Sequence, residues 1–107
     1  MRDLALFVLF IVHVSHSYAG SGNGKVDTIW ITTDSNVVAF TLETAIDNSP
    51  RCNERAQFAF DTAKPGGENL LQTLLRAKEN DLKVEVIGRN ICQSHWKSED
   101  VHALMVK

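Results

Sequence analysis

The sequence predicts a small, mostly β domain built from five strands and one helix. Three observations lead to it. Apolar and polar residues alternate in several short runs rich in β-branched and aromatic side chains; one leucine-rich stripe has helical spacing; and two cysteines sit far apart in a chain of 107 residues. A domain of this length has room for one core and usually benefits from a covalent staple.

The first residues belong to export rather than to the fold. Arg2 supplies a positive charge and Leu4 to Val14 form an apolar run interrupted only by His13, after which Ser17-Tyr18-Ala19 presents small residues at the positions a signal peptidase reads. Residues 1–19 are therefore expected to be a cleavable signal peptide, with cleavage between Ala19 and Gly20. A membrane anchor would need roughly 20 apolar residues. The run here is about half that, so no stable membrane insertion is expected.

Gly20-Ser21-Gly22-Asn23-Gly24 follows, a glycine-rich polar stretch that reads as a flexible tail over residues 20–24, with the domain beginning at Lys25 and running to 107. Val-Asp-Thr-Ile-Trp-Ile-Thr-Thr over 26–33 predicts the first strand, ended by Asp34-Ser35-Asn36. Val38, Phe40 and Leu42 alternate with Ala39, Thr41 and Glu43 in the second. Asp47-Asn48-Ser49-Pro50 then breaks the pattern, and after Cys52 the alternation Ala56, Phe58, Phe60 marks the third strand.

Pro65-Gly66-Gly67 opens a helix, because proline is tolerated where the N–H is needed least. Leu70, Leu71, Leu74 and Leu75 provide its apolar stripe; Glu68 near the start and Arg76 with Lys78 near the end complement the helix dipole, and Asn80-Asp81 can stop it. Leu82, Val84 and Val86 alternate with Lys83 and Glu85 in a fourth strand that Gly88 ends. Val101 to Val106 is the fifth. Strand, strand, strand, helix, strand, strand is the order of an oligonucleotide/oligosaccharide-binding (OB) Greek-key barrel, with an open α+β sheet as the alternative arrangement.

Without the leader, ten lysines and arginines face twelve aspartates and glutamates. That balance offers neither the basic stripe of a nucleic-acid-binding surface nor the polybasic cluster of a membrane-surface protein, so neither partner is expected. Cys52 and Cys92 are the only cysteines, and in an exported chain they are expected to pair with each other. No Cys-x-x-Cys spacing suggests a metal site instead.

The arrangement Phe58-Ala59-Phe60-Asp61, Gly67, the leucine-rich helix ending in Ala77-Lys78, Val84-Glu85-Val86-Ile87-Gly88 with Cys92, and Glu99-Asp100-Val101 resembles a group of small exported bacterial proteins over about residues 25–107. Those are similar, in element order, single helix and cysteine placement, to the OB-fold binding subunits of pentameric toxins of the subtilase-cytotoxin and pertussis-like kind. The resemblance implies a homo-oligomeric ring of barrels that binds cell-surface glycans. None of the sugar-contacting residues of those subunits transfers to a position here.

Chemistry is sparse. Past the leader only His95 and His102 could serve as imidazole bases, and there is no Gly-x-Ser-x-Gly elbow, so an enzyme is not expected. His95, Glu99 and His102 lie within eight residues of one another, but a loop and a strand supply no recognised zinc spacing, and neither a metal nor another cofactor is expected. Trp30 in the first strand reads as core or barrel-surface packing. Trp96 is different: Ser94, His95, Lys97 and Glu99 surround it with hydrogen-bonding groups, the combination that a glycan or protein ligand uses. The competing reading folds its ring back over the disulfide. The sequence thus predicts a secreted or periplasmic, non-catalytic binding module, with a monomeric periplasmic accessory or inhibitor protein as the alternative.

Overall fold

A computed structural model describes residues 19–107, so the predicted leader, apart from Ala19, lies outside the described residues. Five strands, β1 (Ser21–Ile31), β2 (Val37–Leu42), β3 (Phe58–Asp61), β4 (Lys83–Gly88) and β5 (Glu99–Val106), close into a barrel in the order β1-β2-β3-β5-β4. Helix α1 (Gly67–Glu79) connects β3 to β4. All neighbours are antiparallel except β3 and β5, which run parallel. This is the OB arrangement, closed rather than open.

Residues 20–24 depart most from the sequence expectation. They are not a tail: Ser21 to Lys25 pair with Ile87 to Lys83 of β4, and β1 then passes an irregularity between Val26 and Ile29 to pair with β2. One bent strand therefore serves both halves of the barrel, the kind of re-aiming a bulge allows. Gly22, Gly24 and Val26 all face inward, so the alternation is intact with glycine in the apolar positions. At Gly22 a side chain would meet Leu42 and would require it to shift.

Val26, Val38, Phe40, Leu42, Phe58, Phe60, Val84, Val86 and Val101 fill the interior, and Leu74 and Ala77 of α1 join them. The ring centroids of Phe40 and Phe58 are 5.8 Å apart and those of Phe40 and Phe60 6.1 Å, within the range of favourable aromatic packing. Leu70 and Leu71 pack against this cluster, but Leu75 is exposed. The buried stripe of α1 thus runs through Leu70, Leu71, Leu74 and Ala77. Trp30 lies on the barrel surface, opposite Ala39 of β2, and is 43% exposed.

Cys52 and Cys92 are disulfide-bonded, with Cα atoms 6.0 Å apart. The bond ties the β2–β3 loop to the β4–β5 loop. Among the described residues no helix is long and apolar enough to cross a membrane.

Candidate functional site

The two cross-linked loops form one platform. Beyond the disulfide, Arg55 N–H donates to the Lys97 carbonyl at 3.1 Å, Glu99 N–H to the Gln57 carbonyl at 3.0 Å, and Ser98 Oγ to Gln57 Oε1 at 2.9 Å. Asn53 Oδ1 accepts from Gln57 N–H at 3.1 Å, so the β2–β3 loop is braced internally as well. Four non-glycine residues of the two loops, Asn48 (φ 55°), Ala56 (φ 54°), Asn90 (φ 64°) and Lys97 (φ 60°), occupy the left-handed region. Such backbone is uncommon for residues with a Cβ and persists only where the surroundings over-determine it.

Trp96 projects from this platform with 66% of its surface exposed, so its ring is not folded away over the disulfide. Lys97 Nζ lies over the indole at 4.0 Å from the ring centroid, and the Arg55 guanidinium carbon at 5.5 Å. Both distances fall within cation–π range. Lys97 is also held by Glu54, whose Oε1 is 3.4 Å from Nζ. His95 Nδ1 sits 3.2 Å from the Trp96 carbonyl. The indole is therefore exposed and held at the same time.

Asp100 fixes the middle of the β4–β5 loop. Its Oδ1 accepts from the N–H groups of Gln93 at 3.0 Å and Ser94 at 2.9 Å, and its Oδ2 from Ser94 Oγ at 3.1 Å. Bonds to an ionised acceptor are stronger than neutral ones, so this short segment is well ordered for a loop. Ser94 accordingly spends its hydroxyl on structure while bordering a groove of about 640 Å³. The groove opens because β3 and β5 pair at only two positions, Phe58 with Glu99 and Ala59 with Asp100, and then diverge over α1. Lys64, Asn69, Thr73, Arg89, Gln93 and His102 give it polar groups, and Leu70, Ile91 and Leu104 apolar ones. Its volume is that of ordinary small-molecule sites.

The structure brings Ser94, His95, Trp96 and Lys97 together and removes Glu99 from the group. Glu99 is wholly buried: register places it beside Phe58, in the same inward row as Phe40 and Ile29. It cannot touch an external ligand there, and it faces the opposite side of β5 from His102. Residues that the sequence reading missed are Arg55 and Asp100. Arg55 reaches Trp96 only through the disulfide-linked loop pairing, which no local pattern announces; Asp100 had a signal, since an acidic residue after a Ser-rich loop is a ready acceptor for loop amides. Comparison with protein families, with curated proteins and with solved structures finds no match to this chain.

Proposed function

We propose that this chain is an exported, non-catalytic binding module that holds an oligosaccharide against the β4–β5 loop, with Trp96 as the stacking anchor and the adjoining groove supplying hydrogen bonds. The observation that carries the reading is the 66% exposed indole on a doubly tethered loop. A ring fixed before binding loses little rotamer freedom on binding. Gln93 and Ser94 belong both to the Trp96 loop and to the groove, so one ligand can reach the indole and the amide, guanidinium and imidazole groups beyond it. The resemblance of the element order to that of toxin binding subunits favours the same class of ligand.

Arg55 beside Trp96 favours a second reading, a monomeric accessory or inhibitor that grips a protein surface, because tryptophan and arginine dominate the energetics of protein interfaces. Solution mass separates the two. A ring-shaped oligomer fits the glycan reading and a monomer fits the second.

On a panel of immobilised oligosaccharides, Trp96→Ala is expected to weaken binding by about 1–2 kcal/mol or more, roughly 5- to 30-fold. The melting temperature should barely change, since little of the side chain is buried. Unchanged binding, or loss of binding only together with the fold, would sink the assignment.

A further inference from the structure

Among the described residues Glu99 is the one fully buried acidic side chain, and its surroundings are unusual. The carboxylate turns toward the barrel end formed by Gly20, Gly88 and Asn90. Its Oε2 accepts from the N–H groups of Gly20 and Asn90, each at 2.9 Å. Its Oε1 is buried and has no partner among the described residues. The three ion pairs among those residues, Lys25–Asp81, Lys97–Glu54 and Lys107–Glu85, leave Glu99 without a counter-charge. A buried carboxylate held by amides alone, with one oxygen idle, is costly.

The missing cation has a source in the chain itself. We propose that Glu99 is the binding site for the chain's own α-ammonium group, created at Gly20 when the leader is removed; this rests on the reading of Ser17-Tyr18-Ala19 as the cleavage site. Hydrolysis of the Ala19–Gly20 bond puts the hydroxyl of water on the Ala19 carbonyl carbon and its proton on the Gly20 nitrogen. The new Ala19 carboxyl group then ionises and the amine is protonated. An amide with one N–H becomes an ammonium with three.

Geometry fits this occupant closely. The Gly20 nitrogen already lies 2.9 Å from Oε2, and a methyl group built on Gly20 would overlap Oε1, so the amino end of Gly20 lies directly against the carboxylate. A methyl group on Gly88 would overlap Oε2, and the pocket therefore closes on the carboxylate from both strands. Nor does Gly20 need to search for its place. Its carbonyl accepts from Gly88 N–H at 2.8 Å, and Ser21 exchanges backbone bonds of 2.9 and 2.7 Å with Asp47.

The consequence is a barrel whose last stabilising contact forms only after export. With the leader attached, the interior carboxylate lacks its cation and the fold is weaker, which suits a chain that must stay loosely folded to be translocated. Cleavage supplies the charge and locks β1 against β4 and β5.

The test compares chain 20–107 released from a fusion so that Gly20 comes first with the same chain carrying one extra serine before Gly20. The Gly20-first protein is expected to melt about 8 °C higher or more, and Glu99→Gln should abolish the difference. Should Glu99→Gln fail to fold, acetylation of the Gly20 amine keeps an N–H but removes the charge, and should lower melting to that of the extended chain. Equal melting of the free, acetylated and extended proteins overturns the pairing. The intact mass of the exported chain separates the two failures: a start other than Gly20 overturns the cleavage reading and with it the source of the ammonium, whereas a Gly20 start with equal melting overturns the pairing alone.

Discussion

Phe58→Ala is expected to destabilise the barrel by about 3–5 kcal/mol. Phe58 is fully buried on β3, stacks near Phe40, and is flanked in register by Phe40 of β2 and Glu99 of β5. Its removal leaves a cavity at the only point where β3 and β5 pair before they diverge, and the parallel pairing there is two residues long. Domains of this size have total stabilities of roughly 5–15 kcal/mol, so the variant should be near the edge of folding. Urea titration should show a large fall in midpoint with an unchanged slope. A loss under about 1 kcal/mol would mean that the ring does not occupy the core.

The second large effect concerns the disulfide. Cys92→Ser is expected to cost about 2–5 kcal/mol, since closing a loop of this length is worth roughly 4 kcal/mol in the chain-entropy model. The half-cystines are separated by 40 residues and join the two loops that build the Trp96 platform. Two consequences should therefore appear together: a lower melting temperature, and a looser hold on the indole as Arg55, Lys97 and Trp96 lose their common tether. Non-reducing peptide mapping of the natively produced protein should recover Cys52 linked to Cys92. Two free thiols in that material would contradict the structure.

How much of this was legible in the sequence depends on which residues carried the signal. β2 and β4 announced themselves because Val38, Phe40, Leu42, Val84 and Val86 alternate with polar or small partners, and these larger apolar side chains fill the core. The first half of β1 was hidden because its inward positions are glycines, whose lack of a side chain is itself the adaptation to a crowded barrel end. Leu75 misled in the other direction, since the helix turns it outward while Ala77 takes the inner position. At the site, Trp96 and its neighbours were visible as an aromatic in a polar loop. Glu99 was not separable from them by type or spacing, and only the register with Phe58 sends it inside. Arg55 belongs to the platform through a disulfide and long-range backbone bonds, information that no local window contains.

The most direct test of the central claim, that the Trp96 loop is the contact surface, is to follow the two indole N–H signals by nitrogen–proton correlation NMR while the best-bound oligosaccharide of the panel is titrated. Trp30 and Trp96 are the only tryptophans, so each protein copy contributes two signals that Trp96→Ala assigns. The Trp96 signal is expected to shift and saturate with the ligand while that of Trp30 stays in place. A saturating shift confined to Trp30, or binding that moves neither indole, would contradict that claim.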